Sequence, residues 1–207
     1  MKLMIRYVLI AVVSFAFINV LMAQEATGKK KRKKEKKTET ALPQVSQALL
    51  DSISANMVWV TGGRFVMGNY SGEADERPQY EVVVDGYAIS KYPVTQRQWT
   101  AIMGSNPSTF AGCDQCPADM VSWDEAQQFI ETLNRLSGKQ YALPTEAEWE
   151  YAAKGGLKTR GYRYSGSDNI DAVAWHTDNS GRHPHPVGEK APNELGLYDM
   201  TGNVWEW

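Results

Sequence analysis

Residues 143–153 (LPTEAEWEYAA) lie in the middle of this 207-residue chain and carry its most informative local pattern. Thr145 and Glu148 stand three residues apart. This is the spacing of a capping box, in which both side chains bind free N–H groups of the first helical turn. Trp149 and the alanines after it form an apolar face, and two glycines follow. The stretch therefore predicts a short helix that packs on a core through one side.

Further helices are predicted on the N-terminal side of this stretch. Ser122 and Glu125 repeat the capping-box spacing, apolar residues follow at helical spacing, and Gly138 ends the pattern. Another helix is predicted to start at Thr95 (TQRQWTAIM), and a weakly amphipathic one covers residues 44–56.

Short strands are predicted before these helices. Residues 57–60 and 64–67 flank Gly62-Gly63, which favours a tight hairpin, and residues 80–84 form another strand. After residue 161, glycine, proline, asparagine and aspartate are frequent, and the aromatic residues stand alone. This mixture of helices, short strands and loops indicates an α+β fold class.

Charge divides the chain unevenly. The formal net charge is -2, yet residues 29–37 (KKKRKKEKK) hold eight of the 22 basic residues. Residues 40–207 contain 12 basic and 21 acidic residues, a net charge of -9. This acidic body is not a basic nucleic-acid-binding domain, and we expect no nucleic-acid partner. With 43% hydrophobic and 11% aromatic residues, the chain is also too apolar to be disordered throughout.

Residues 1–23 have the pattern of a signal peptide. Lys2 and Arg6 begin it, an apolar run follows that is short for a membrane span, and Ala23 precedes the expected cleavage point. We therefore expect an exported protein, located in the periplasm, at the cell surface or outside the cell. The alternative is an N-terminal membrane anchor, which the positive charge of residues 29–37 favours.

The rest of the chain is predicted to consist of two parts. Residues 24–56 form a disordered basic collar followed by the short helix, because like charges repel and the collar has little apolar area to bury. Residues 57–207 form one domain, long enough for one core. Residues 29–37 could touch an anionic surface at about 1 kcal/mol per charge, although a solvated spacer is the plainer expectation.

Cys113 and Cys116 (CDQC) are the two cysteines of the chain. They cannot complete an all-cysteine zinc site, and in an exported protein a local disulfide is the first expectation. Free thiols, or a redox or metal role, are the alternatives. A redox role requires a helix N-terminus beside the pair, and the next helix downstream begins only at Ser122. His183 and His185 could add metal ligands, but their H-x-H spacing is unusual for zinc, and a surface loop is expected.

Residues 199–207 (DMTGNVWEW) form a candidate calcium site. Calcium prefers six to eight oxygen ligands in a flexible geometry. The oxygen ligands offered here are two carboxylates and two main-chain carbonyls, those of Asp199, Glu206, Gly202 and Val204. The alternative is that Trp205 and Trp207 pack in the core while Glu206 faces water.

The stretch at residues 143–153 resembles the signature of the formylglycine-generating enzyme, or sulfatase-modifying factor, family. Four further stretches match that family in the right order and extend the resemblance over residues 57–207: residues 62–68 (GGRFVMG), 92–108, 121–126 (VSWDEA) and 193–207. Five ordered motifs make the resemblance specific to the family.

The resemblance implies an irregular α+β fold, related to C-type lectins, with little regular secondary structure. It also implies that Asp199, Gly202, Val204 and Glu206 bind a structural calcium ion. A second family calcium site uses an asparagine at the position of Val173, so it is not implied for this chain.

The resemblance implies metal- and oxygen-dependent oxidation, such as conversion of a cysteine to formylglycine in a protein or peptide substrate. In the family, a cysteine pair beyond the position of Trp207 handles copper and substrate, and Cys113 and Cys116 do not align with it. No catalytic residue is therefore carried over. We expect a C-terminally truncated domain that uses copper or iron only with the missing segment. The alternative is a non-catalytic module that binds cell-envelope components, as in gliding and secretion relatives.

Overall fold

The computed structural model describes residues 43–70 and 72–207, and the backbone of Tyr7–Val8 and Val12–Val13. Apart from those two short strands, the expected signal peptide (1–23) lies outside the described residues, as does the basic stretch at 29–37. Among the described residues, no helix is both long and apolar enough to cross a membrane.

The regular elements are short and are joined by long irregular segments. In chain order they are β1 (Tyr7–Val8), β2 (Val12–Val13), α1 (Gln47–Ala55), β3 (Met57–Val60), β4 (Gly63–Met67), β5 (Tyr80–Val84), β6 (Tyr87–Ser90), α2 (Gln96–Met103), α3 (Trp123–Ser137), β7 (Tyr141–Ala142), α4 (Glu146–Ala153), α5 (Ile170–Val173) and β8 (Trp205–Glu206). Two 3₁₀ turns cover Ala74–Glu76 and Gly156–Lys158. This architecture confirms the α+β class with little regular secondary structure.

Both predicted capping boxes are present, at Ser122 and Thr145, and a third capping box stands at Thr95, where only a helix start was predicted. Thr95, Ser122 and Thr145 cap α2, α3 and α4, and each cap hydroxyl accepts a hydrogen bond from the backbone N–H three residues on. The side chain at that third position accepts the cap residue's own N–H in return. The sequence prediction of these three helices is thus confirmed to within a residue or two at their starts.

The predicted hairpin between residues 57–60 and 64–67 is wrong. β3 pairs antiparallel with β6, and β4 pairs antiparallel with β5, so the two strands belong to different sheets. The four residues of β6 are all buried, so their backbone N–H and C=O groups need hydrogen-bond partners. β3 supplies these partners along one edge of β6. A Cβ atom on Gly62 would lie 2.5 Å from the carbonyl oxygen of Val84, so the glycine lets the chain pass close to the end of β5 instead of turning back.

The strands of the described residues form three small sheets. The largest has the order β3-β6-β1-β7, in which β1 runs parallel to both neighbours. β4 and β5 form a second sheet, and β2 pairs antiparallel with β8 in a third.

Two clusters of buried residues form the interior. The helical core joins α1, α2 and α3, and its centre is the stacked pair Trp99 and Phe129, whose ring centroids lie 4.9 Å apart. The strand core joins β3, β5, β6 and α4 with Leu197 and Met200 from the C-terminal region. The loop segment, residues 161–207, therefore contributes to the strand core without being a helix or strand for most of its length.

Candidate functional site

A cleft of about 1310 Å³ opens where the irregular segments meet. One wall comes from the start of α4, and the others come from a loop around residues 109–119 and from the loop segment. The lining residues used below are Phe110, Asp119, Trp149, Trp175, His183, Asp199 and Glu206. The predicted calcium ligands thus all lie along this cleft.

The turn at residues 199–203 forms the floor of the cleft. Asp199 and Asn203 both have positive φ angles, of 58° and 59°, and Gly202 has φ 78°. Only glycine fits at residue 202, because a Cβ there would collide with the carbonyl oxygen of Trp175. The Asn203 N–H donates to that same oxygen at 2.7 Å. The Asn203 side chain also bonds the N–H and carbonyl of His185, at 3.0 and 3.1 Å.

Two carboxylates are buried beside this turn. Asp199 accepts hydrogen bonds from the Gly188 N–H at 2.8 Å and from the Asn203 amide at 3.3 Å, and burial raises the pKa of its carboxyl. The Trp149 indole N–H donates to Glu206 Oε2 at 2.6 Å. Burial raises the pKa of Glu206 to about 8, the Trp149 bond opposes this rise, and the charge of Asp199 adds to it.

These groups fit a hard cation. Glu206 Oε1 is inaccessible to solvent and has no hydrogen-bond partner, which leaves a buried acceptor that a cation would satisfy. The Gly202 carbonyl accepts the Val204 N–H at 2.8 Å and keeps one lone pair free. No group of three or more His, Cys, Asp or Glu side chains converges within residues 43–70 and 72–207. A calcium ion here would therefore need carbonyls and water beside the two carboxylates.

The two tryptophans next to Glu206 differ in their environments. Trp205 is 76% exposed, whereas Trp207 packs against the helical core and donates its indole N–H to the Val121 carbonyl at 3.0 Å. The alternative in which both tryptophans are buried and Glu206 faces water is therefore wrong. The short strand β8 turns Glu206 inward and Trp205 outward, as alternation along a strand requires.

Aromatic rings line the far wall of the cleft. Trp175 stacks on His185 with a centroid distance of 3.8 Å, and His185 contacts His183 at 4.5 Å. The ring centroid of Phe110 lies 6.2 Å from that of His183, and about half of the surface of Phe110 is exposed. Lys190 places its Nζ 4.0 Å from the centre of the Trp175 ring. This row offers flat apolar surface to a bound molecule.

Three buried polar atoms without a hydrogen-bond partner belong to residues that line this cleft: Asp119 Oδ2, Trp175 Nε1 and Glu206 Oε1. Asp119 is held by the Thr109 N–H, which donates to its Oδ1 at 2.8 Å. The sequence offers no local signal that would place Asp119 or Trp175 in a site.

The structure joins Cys113 and Cys116 in a disulfide. Their sulfur atoms are therefore not thiolates that could join the histidines around a metal ion. Of the two histidines, His183 is exposed, while His185 is half-buried and its Nε2 lies 2.9 Å from the Ser180 carbonyl oxygen.

One protein family matches most of the chain. Residues 44–207 match the model of the sulfatase-modifying factor enzyme 1-like domain. The chain belongs to this family. The match begins at residue 44, just before the helix α1 and earlier than the predicted domain start at residue 57, which remains a prediction.

Several curated relatives resemble the chain. The chaperone protein LppX of Paenibacillus barcinonensis is 35% identical, over 75% of this chain and 71% of LppX. The formylglycine-generating enzyme of Mycobacterium tuberculosis is 27% identical, over 73% of this chain and 72% of that enzyme. The inactive Cα-formylglycine-generating enzyme 2 of Bos taurus is 28% identical, over 74% and 70% respectively. Similarity within the family therefore does not separate active from inactive members.

A solved structure shares the fold. Treponema denticola variable protein 1 superposes with a TM-score of 0.65 and 28% sequence identity, over 72% of this chain and 70% of that one. In contrast, the chain spans only 28% of the serine/threonine-protein kinase pkn1 of Chlamydia pneumoniae, to which it is 31% identical.

Proposed function

We propose that this chain is an exported member of the family that binds an extended polypeptide segment in the cleft. The observation that carries the proposal is the cleft itself. Its volume, about 1310 Å³, exceeds the 300–1,000 Å³ typical of small-molecule sites, and its walls combine aromatic faces with polar side chains. A polypeptide supplies both the apolar side chains and the main-chain donors and acceptors that such walls would bind.

Export is part of the proposal. It is supported by the signal-peptide pattern of residues 1–23 and by the disulfide between Cys113 and Cys116, because disulfides persist in oxidising compartments. An N-terminal anchor would leave the domain on the cytoplasmic side, where such a bond is rare.

Calcium is proposed as a structural cofactor of the cleft floor. Asp199 and Glu206 would hold it with their carboxylates, and Gly202 and Val204 with their carbonyls. The ion would neutralise the like charges of these two buried carboxylates. It would also satisfy Glu206 Oε1, which has no hydrogen-bond partner. The role of the ion is to fix the turn that bears these residues, and no chemical step is assigned to it.

Calorimetry tests the calcium site. Calcium should bind the wild-type chain, and Glu206→Gln should abolish binding because the amide removes the charge at nearly constant shape. Glu131→Gln, an exposed substitution on α3, is the matched control and should bind like the wild type. Absence of binding to the wild type, or unchanged affinity in Glu206→Gln, would refute this site.

Oxidation of a bound cysteine is proposed for the whole protein, since relatives of this chain include an enzyme named for generating formylglycine. The family resemblance implies that copper or iron and oxygen take part. The residues described here are assigned to binding and orientation. Phe110 and His183, which are exposed in the cleft, would contact the side chains of the bound segment.

Titration with a short cysteine-containing peptide tests polypeptide binding. Phe110→Ala should weaken binding about tenfold, since truncation removes part of the 1.5–3 kcal/mol that burial of a phenylalanine contributes. Tyr70→Ala removes an exposed aromatic residue that does not line the cleft, and it should leave the affinity unchanged. Equal affinities in the two variants, or no binding to the wild type, would contradict the proposal.

A second candidate function is non-catalytic binding at the cell envelope. The names of two relatives, a chaperone and an inactive enzyme, favour it. Oxygen uptake by the whole protein, with copper and a cysteine-containing peptide, separates the two functions. Uptake that depends on the peptide favours the oxidase, and peptide binding without uptake favours the binding module.

A further inference from the structure

The disulfide loop at residues 113–116 is asymmetric. Cys116 is buried, with 3% of its surface exposed, whereas Cys113 is only half-buried and stands among exposed residues at 111, 112, 114 and 115. Cys113 is therefore the residue of the pair that is open to solvent, and Cys116 is the shielded one. One accessible and one shielded sulfur is the arrangement that thiol–disulfide exchange at a single cysteine requires.

A helix N-terminus lies against this loop, although it comes from the upstream side of the sequence. The first two N–H groups of α2 point at the loop: Gln96 N donates to the Cys116 carbonyl at 2.8 Å, and Arg97 N donates to the Asp114 carbonyl at 3.1 Å. The positive end of a helix dipole stabilises a nearby anion. These two N–H groups bond main-chain carbonyls and not the sulfur, but the dipole of α2 is directed at the loop and favours a thiolate there, whereas the downstream helix begins only after Ser122.

The opposite side of the loop contacts the wall of the cleft. The Val187 N–H donates to the Gln115 carbonyl at 2.9 Å, and the Cys116 sulfur lies 3.7 Å from the Pro184 carbonyl oxygen. After reduction, that oxygen could accept the Cys116 S–H. The reduced loop thus has stabilising partners of its own, and stabilisation of the reduced form makes a disulfide a stronger oxidant.

From this arrangement we infer that Cys113 and Cys116 form a thiol–disulfide exchange centre, which oxidises a pair of cysteine thiols in an exported client polypeptide. A client thiolate attacks the Cys113 sulfur, the Cys113–Cys116 bond breaks, and Cys116 leaves as a thiolate beside the N-terminus of α2. The product is a mixed disulfide between client and Cys113.

The second step completes the exchange. The other client thiolate attacks the client sulfur of the mixed disulfide, and Cys113 leaves as a thiolate that solvent can protonate. The client loses two electrons and two protons and gains one disulfide, while the loop gains the two electrons and becomes a dithiol. A second disulfide, such as oxidised glutathione, returns the loop to its starting state by the same exchange.

The test is catalysed oxidation of a reduced synthetic peptide that carries two cysteines, with oxidised glutathione as the terminal oxidant. A small fraction of full chain relative to peptide should accelerate formation of the peptide disulfide at least about tenfold, as measured by mass spectrometry. A wild-type rate equal to that in protein-free solution would overturn the inference, because a purely structural disulfide does not turn over. This comparison needs no variant and so does not depend on the folding of one.

Single substitutions test the direction of attack. With a peptide that carries one cysteine, and with oxidised glutathione present, Cys116→Ser should accumulate a mixed disulfide with the peptide at Cys113, whereas Cys113→Ser should accumulate much less at the shielded Cys116. Circular dichroism of both variants checks that they are folded. Acceleration by the wild type together with equal trapping in two folded variants would overturn the assigned roles of the cysteines.

This inference does not rest on the proposed function. Phe110→Ala, which should weaken binding in the cleft, leaves both sulfur atoms in place, and the two proposals can fail separately. Loss of calcium or peptide binding with intact thiol exchange would refute only the cleft proposals, and the reverse result would refute only this one.

Discussion

The helical core and the loop segment at residues 161–207 are both built around buried side chains, but different forces hold them. In the helical core, apolar side chains from three helices meet at regular spacing around Trp99 and Phe129. In the loop segment, side-chain amides and carboxylates bind backbone groups that no helix or strand satisfies. Asn193 alone bonds the carbonyl of Ala152 and the N–H groups of Leu195 and Leu197. The comparison teaches that an irregular segment can be fixed as firmly as a helix when polar side chains replace the missing backbone ladder.

The largest effect is expected in the helical core. Phe129→Ala removes a ring that is 1% exposed and stacked on Trp99, and it should lower the free energy of unfolding by about 3–5 kcal/mol. Chemical denaturation measures this, with the exposed Glu131→Ala on the same helix as control. A loss below about 1 kcal/mol would show that the core collapses around the cavity and that apolar packing is not its main support.

The corresponding substitution in the loop segment is Asn193→Ala. It leaves the buried N–H of Leu197 and the carbonyl of Ala152 without their side-chain partners, and it should cost about 2–4 kcal/mol. The exposed loop substitution Asp178→Ala is the control. If Asn193→Ala were as mild as this control, polar bonding would not be what fixes the segment.

The next effect is a pH dependence that belongs to the loop segment. The pKa of Glu206 is raised by burial to about 8, so the folded state keeps a proton that the unfolded state releases from about pH 4.5 upward. The free energy of unfolding should therefore fall as the pH rises from 5 to 8 in the presence of a calcium chelator, by about 1–3 kcal/mol. Denaturation at several pH values measures it.

Glu206→Gln is the control for this pH dependence. It should flatten the decline, because the amide does not titrate in this range. A decline of the same slope in the variant would assign the effect to another group. Saturating calcium should oppose the decline in the wild type, since calcium binds the carboxylate that loses its proton.

The smallest effect compares two caps, one in each region. Ser122→Ala removes the cap of α3 in the helical core, and Thr145→Ala removes that of α4 at the rim of the cleft. Each should lower the free energy of unfolding by about 1 kcal/mol, and the exposed Thr177→Ala should leave it unchanged. A clearly larger loss for Thr145→Ala would show that the start of α4 also holds the cleft wall.

The helical core could be predicted from the sequence and the strand pairing could not. Capping boxes and apolar periodicity are local signals, and Thr95, Ser122 and Thr145 each marked a helix start. Pairing of β3 with β6 depends on the burial of β6 in the folded protein, and the residues of the two strands alone do not indicate this burial. The hairpin prediction used the two glycines and missed that Gly62 serves a close approach to β5.

The cleft was predictable only in part. Residues 199–207 were singled out by their oxygen-bearing side chains and by the family resemblance, and they do form the cleft floor. Asp119 reaches the cleft through a loop whose bonds to α2 are non-local. The helix beside Cys113 and Cys116 is α2, which precedes the pair in the sequence, and its contact with the loop depends on the tertiary fold.

The bond between the Trp149 indole and Glu206 has a consequence for observation of the protein. The emission of an indole responds to the charge beside its N–H group, so protonation of Glu206 or arrival of a cation would change the ultraviolet fluorescence of Trp149. The chain thus carries an intrinsic optical reporter at the residue on which the calcium proposal depends, and replacement of Trp149 by phenylalanine would identify its share of the signal among the seven tryptophans.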